Sequence, residues 1–365
     1  MEIKSIDAGD TKSCFVDEEG EVWFCGRKQA EEVINTPTKI FTELPPILAV
    51  SSKSAWSLFL DEEGSVWHFR PSSVYDPRPH SLGIPSKISF CDLPQIISIS
   101  TGCFLEHSLM LDVHGCVWSF GDNEHGELGV GDRYERDDPE KIPNLPPIRK
   151  IHAGKSVSFF IDADGFVWGA GNNSSGQLGI GTRQYKNERS PVKNPYLQKI
   201  KEVAGADGSL FLDESGRVWA CGFNATGNLG LGDTQTRKVP ELIKKIPKIK
   251  CMASSTSHSI FVDVKGVVWT CGMNNYGQTG QKKPVKKPTK LSDLPPIVAC
   301  SAGADHSILL DEDHTVWVFG RSEYGKLGLG ECANVLSPTK LESLPPIAIN
   351  AVNTSACRVK SARKE

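Results

Sequence analysis

No stretch of this chain is apolar for anything near the ~18 residues that a membrane-spanning helix needs. No basic segment followed by an apolar run opens it, so no secretory signal is expected, and the closing Ser361–Glu365 is not a prenylation motif. The 11 cysteines are scattered singly, without a Cys-x-x-Cys. That unpatterned, odd set implies a reducing compartment, so a cytoplasmic and/or nuclear location is expected. No group of His, Cys and carboxylate residues has zinc spacing, and no phosphate-cradling lysine motif occurs. The net charge is only −3, with 39% hydrophobic and 23% charged residues, which is ordinary for a soluble protein. These absences lead us to expect no metal, no cofactor and no hydrolytic, redox or transferase site.

What is present is one short phrase, seven times. An aspartate is followed six residues later by a tryptophan at Asp17/Trp23, Asp61/Trp67, Asp112/Trp118, Asp162/Trp168, Asp213/Trp219, Asp263/Trp269 and Asp311/Trp317, and the tryptophans recur every 44 to 51 residues. A period of this length means copies of one supersecondary unit, none able to bury its apolar face alone. The copies run over approximately 3–47, 48–96, 97–148, 149–200, 201–249, 250–297 and 298–347, so one domain uses the whole chain.

Each copy reads as strands: a small apolar run, a polar loop, an alternating run ending on the Asp, a tight turn, then Val-Trp and a Gly. Gly20, Gly64, Gly115, Gly165, Gly216 and Gly266 suit a hairpin turn that needs positive φ, and His314 stands in their place in the last copy. A Gly-rich loop follows, as in Asn173–Thr182. It lacks the helix and third glycine of a dinucleotide site. An outer strand comes next, and four copies then close on Leu-Pro-Pro-Ile, which marks the crossing to the next unit because Pro cannot sit in a central strand. Four short antiparallel strands per copy, with no helical period, predict an all-β, seven-bladed β-propeller. The tryptophans, in fixed phase beside a Val, are expected to be buried core, one per blade, with Trp56 the exception. Cys25, Cys221 and Cys271 read as small core residues.

The recurring order of Gly, His-Ser, Asp-x-x-Gly-x-Val-aromatic, Gly, and Asn-x-x-Gly-Gln-Leu-Gly-x-Gly-Asp resembles the repeat of the regulator of chromosome condensation family over residues 3–360. The usual Val-Tyr-x-Trp-Gly is permuted here, with Trp in the Tyr place. The resemblance implies two kinds of activity. The family's founding type is a guanine-nucleotide exchange factor for the small GTPase Ran that also docks on nucleosomes. Many other members are non-catalytic protein-binding modules, ubiquitin-ligase appendages among them. The founding type carries a wedge hairpin inside one blade and a basic N-terminal tail. This chain starts on a strand at Ile3, and Arg183–Leu197 is its nearest candidate for a wedge. The expectation is a non-catalytic, monomeric protein-binding propeller, with exchange on a small GTPase as the alternative and chromatin or nucleic-acid binding as a weaker one.

Every copy has a serine four residues before its aspartate, and His107, His258 and His306 immediately precede three of them. Neighbours on a strand point to opposite faces, so these are not Ser–His nucleophilic pairs. The loops before the serines converge on the mouth of the channel in a propeller. Glu106, His107, Asp207, His258, Asp305 and His306 are therefore candidate partner-binding residues. Trp56, which replaces a histidine in this ring, is either an exposed anchor or a plug of the mouth.

Charge is unevenly placed. Residues 237–290 hold twelve Lys/Arg and two acids, a local +10 against −13 elsewhere. Lys282, Lys283, Lys286, Lys287 and Lys290 form its densest part, read either as a solvated rim or as a surface that steers an acidic protein or nucleic acid. Residues 349–360 look like half a repeat, expected to pack on the edge of the first blade and close the ring.

Overall fold

The structure, a computed structural model, describes residues 3–28, 32–39, 41–53, 56–69, 85–90, 93–103, 107–181 and 186–342. They form seven four-stranded antiparallel sheets, each from one continuous stretch of chain and each with its strands paired in sequence order. In blade one the strands are Ile3–Ala8, Lys12–Asp17, Val22–Arg27 and Val33–Lys39. Blades two to seven open on Ile47–Ser52, Ile96–Thr101, Ile148–Ala153, Ile200–Gly205, Ile249–Ser254 and Ile297–Ala302. The chain is the seven-bladed propeller that its repeats predict. Residues 349–360 lie outside the described residues.

The second strand of each blade, such as His107–Asp112 or His306–Asp311, is buried along its whole length. It is covered on both faces because a blade on either side packs against it. Each of the seven apolar clusters accordingly spans a junction between two blades. Phe159, Leu178 and Val203 of one cluster come from blades four and five. Phe15 and Cys25 of blade one meet Ile308, Leu310 and Leu327 of blade seven in another. The core is therefore seven interfacial layers, which is why no repeat is stable by itself. Cys25, Cys221 and Cys271 are all buried in these layers.

The fourth strand is the outer edge and is mostly exposed. Pro37, Pro139, Pro191, Pro240, Pro288 and Pro338 occupy the same place in six of them. An edge strand tolerates a residue that cannot donate to the ladder, and Pro there discourages pairing with another chain.

The hairpin turns behave as the glycines suggest. Gly20, Gly64, Gly115, Gly165, Gly216 and Gly266 have φ between 80° and 85°, and His314 takes φ 60° in the last blade.

Candidate interaction faces of the ring

Every blade has two ends. At one, the turn face, the second strand turns into the third. At the other, the mouth face, lie the loops between first and second strands and the Gly-rich loops.

The turn face is built from the Asp–Trp phrase. In each blade one carboxylate oxygen of the aspartate accepts the backbone N–H four residues on. The other accepts the indole Nε1–H six residues on, at 2.8 to 3.3 Å. This latch corrects the expectation of buried tryptophans. All seven are half-buried, as is Trp56. The aspartates are buried, but each tryptophan lies beside the exposed outer strand, and Phe and Leu of the second strands fill the junctions instead. Across the outer strand the tryptophans face Lys39, Lys87, Lys141, Lys193, Lys290 and Lys340 in six blades.

The mouth face is built from locks between blades. His107 Nε2 bonds Ser158 Oγ at 3.1 Å, His258 Nε2 bonds Ser307 Oγ at 2.9 Å, and His306 Nε2 bonds Ser13 Oγ at 2.9 Å. Each serine hydroxyl in turn donates to a carbonyl of a Gly-rich loop: Ser158 to Glu127, Ser307 to Gln278 and Ser13 to Lys326. A hydroxyl has one proton, so the serine must accept from a histidine protonated at Nε2. Burial holds His258 neutral, pushing it down to about 3, and holds His306 well below the usual imidazole range. None of the three serine protons faces a base, so these pairs cannot generate a nucleophile. Lys12, in the same ring position of blade one, donates to the carbonyl of Trp56 at 3.3 Å.

At the seam between blades seven, one and two, Asp7 accepts from Ser301 Oγ at 3.0 Å, from Ser52 N at 2.7 Å and from Lys53 Nζ at 2.7 Å. Nearby, Arg321 stacks 4.7 Å from the ring centre of Tyr276 and pairs with Asp305 and Glu323. Arg27 stacks 3.8 Å from Tyr324, the residue at the same place in the next loop. Burial raises Asp10, with Lys53, Lys12 and Lys326 opposing it, and burial lowers Lys326, whose Nζ donates to the Asp10 carbonyl at 3.1 Å.

Residues 85–362 match the sequence model of the RCC1-like domain. The chain belongs to the RCC1-like domain family. It is 31% identical to the human probable E3 ubiquitin-protein ligase HERC6 over 169 residues, 44% of this chain but 16% of that protein. It is 28% identical to human protein RCC2 over 175 residues, 40% of this chain and 34% of that one. Each match thus spans a minor part of the curated relative. Prp20p of Saccharomyces cerevisiae superposes with a TM-score of 0.78 at 21% identity, covering 94% of this chain and 87% of its own, a likeness of fold.

On this RCC1-like propeller the candidate mouth residues divide. His107, His258 and His306 are fully buried between blades, so they hold the ring together and offer a partner no surface. Asp207 and Asp305 are partly exposed on the mouth face, in ion pairs with Lys155 at 2.9 Å and Arg321 at 3.4 Å. Glu106 lies outside the described residues. Trp56 packs against Phe120 of blade three and His68, with ring centres 6.0 and 5.7 Å apart, so it is half-buried on the apolar layer between blades two and three. The wedge candidate is absorbed into its blade as far as it is described. Glu188–Lys193 is the outer strand, Asn194 Nδ2 caps the Leu178 carbonyl at 2.9 Å, and Leu197 is buried; 182–185 lie outside the described residues.

The basic run also divides. Gly272 pairs with Val285 at the mouth end of blade six, and Trp269 pairs with Lys290 at the turn end. Lys282, Lys283, Lys286 and Lys287 are therefore on the mouth side, all exposed, whereas Lys290, Lys265 and Lys248 are on the turn side. Lys290 belongs to the Trp–Lys pairing common to six blades. The reading of one basic sector is thus corrected to two patches at opposite ends.

Proposed function

We propose that this protein is a non-catalytic, monomeric binding module that engages a protein partner with the mouth face of the ring. The buried His–Ser locks are the observation that carries this reading. They hold the loops of successive blades in fixed relation, while the exposed side chains borne by those loops differ from blade to blade. A rigid repeated frame with variable tips is what recognition of one partner requires. The test compares partners captured from cell lysate by wild type, by Asp207→Arg/Asp305→Arg, and by Lys248→Glu/Lys265→Glu on the turn face. Proteins retained by the turn-face variant and lost by the mouth-face variant support the reading. Capture that depends only on the turn face sinks it.

A second reading is exchange on a small GTPase, possible in thermodynamic terms for any surface that binds the nucleotide-free state more tightly. Prp20p, whose fold this chain shares, has binding properties toward Gsp1p and histones. Measured release of fluorescent GDP from Ran, Rab and Rho proteins decides it: no acceleration by the wild-type propeller across the panel removes exchange and leaves protein binding standing.

A further inference from the structure

The mouth-side cations continue beyond the basic run and across three blades. The second residue of the outer strand is Arg189 in blade four, Lys238 in blade five and Lys286 in blade six. All three are exposed. Their backbones are fixed by the preceding blade's Gly-rich loop. Gly131 N donates to Arg189 O at 2.9 Å, Gly181 N to Lys238 O at 3.1 Å and Gly232 N to Lys286 O at 2.9 Å. The approach is close enough that a Cβ at Gly126, Gly176 or Gly227 would meet the next blade's Cα at 2.7 to 3.0 Å. Three cations are thus held at one register on three successive blades, with a spacing set by the ring itself. The matching residues on the flanking blades are Asp137 in blade three and Leu336 in blade seven, so the arc ends on both sides. Lys287, Lys282 and Lys283 thicken it at blade six. Asp233 and Glu241 of blade five both pair with Arg237.

We propose that this arc, Arg189, Lys238, Lys286 and Lys287, docks an acidic segment of the protein partner. The proposal rests on the reading of the mouth face as a protein-binding surface and adds the chemistry of what it takes. Charge complementarity selects an anion. A protein rather than a nucleic acid is favoured by the apolar spot inside the arc. Val239, beside Lys238, and Tyr196 both crowd Gly181 and are 40% and 56% exposed. An exposed Val–Tyr pair between cations suits acidic residues flanking an apolar one, and a single aromatic is too little to stack successive bases. Among exposed groups such an arc acts chiefly on encounter, so association should weaken as salt screens it.

The test uses the full chain and a short fluorescein-labelled peptide of Glu and Ser with one central Leu, followed by anisotropy at low and physiological salt. Arg189→Glu/Lys238→Glu/Lys286→Glu should lose about tenfold or more in affinity, mostly through a slower association rate. Lys244→Glu/Lys248→Glu/Lys265→Glu, exposed on the turn side and with the same change of net charge, should lose less than about twofold. All substitutions are at exposed positions, and thermal melts establish that both variants are folded. No peptide binding by wild type, equal losses in the two triple variants, or tighter binding of a labelled DNA duplex than of the peptide would each overturn the proposal. A cellular partner that is lost on changing Asp207 and Asp305 but is indifferent to the arc would remove the arc and leave the mouth-face reading intact.

Discussion

His306 of the last blade reaches Ser13 of the first, 293 residues away in sequence, with Nε2 and Oγ 2.9 Å apart. The same bond joins His258 to Ser307 inside the ring. The seam between the chain's two ends is therefore fastened as an interior junction is. His306→Ala and His258→Ala should each cost about 2–4 kcal/mol, since each leaves a cavity at a buried junction and removes the bond that the serine oxygen accepts. Denaturant unfolding of both variants checks the equality. A loss at His306 less than half that at His258 would show the seam to be the weaker joint.

Two buried histidines, His258 and His306, and the half-buried His152 set an acid limit. His152 is pushed down to about 4 by burial, His258 to about 3, and His306 well down. The unfolded chain binds their protons from about pH 6.5 downward, and the folded chain does not. Unfolding therefore takes up protons, and stability falls with decreasing pH, by about 1.4 kcal/mol per pH unit for each histidine that stays neutral in the fold. Melting followed from pH 7 to pH 5 should show this decline, and His258→Gln should make it shallower. A flat profile in a Glu127→Gln background, which removes the one opposing group, would mean that these histidines are protonated in the folded ring.

Glu127 works in the opposite direction. It occupies the place of Gln177 and Gln278, and like them it accepts a loop N–H through one oxygen, at 2.7 Å from His125 N. Its other oxygen is buried without a donor. Burial raises it to about 7 from 4.5. The fold holds this proton more tightly than the unfolded chain does, so stability drops as pH rises from about 4.5 to 7 and stays low above. Glu127→Gln should add about 1–3 kcal/mol at pH 8 and little at pH 4.5. An equal gain at both values would assign the effect to packing.

In the Asp–Trp latch the carboxylate matters more than the indole. Asp162→Ala removes acceptors for Phe166 N, at 2.9 Å, and Trp168 Nε1, at 3.0 Å, and should cost about 2–3 kcal/mol. Trp168→Phe keeps the turn bond and should cost about 1 kcal/mol. Trp56→Ala should cost as much as Trp168→Ala, about 2–4 kcal/mol, because both are half-buried against neighbouring rings or strands. A much smaller loss at Trp56 would restore it as a surface anchor.

The fold was legible because the repeat supplied seven independent readings of one unit, and turn glycines fixed the strand ends. Where the side chains went was less legible. A tryptophan beside valine reads as core until its indole is seen to have an acceptor six residues earlier. The alternation of His306 and Ser307 was read correctly as divergent, but the serine that His306 meets belongs to another blade, and no local spacing encodes that. Lys286 and Lys290 are four residues apart and sit at opposite ends of one strand, so a charge run counted along the sequence merged two surfaces. Arg189 joins the first of these only through the register of neighbouring blades, and was missed.

The seam cluster has a consequence for synthesis. Phe15 and Cys25 are made first, and the residues that cover them, Ile308, Leu310 and Leu327, are made last. At about 5–20 residues per second, blade one waits roughly 15–60 s with one apolar flank open to water while the rest emerges from the ribosome. Each newly finished blade covers the one before it, so the growing arc always presents two sticky flanks and never fewer. Only arrival of the seventh removes both at once. A nascent chain stalled anywhere short of that point is an aggregation hazard and a client for chaperones, whatever the stability of the closed ring.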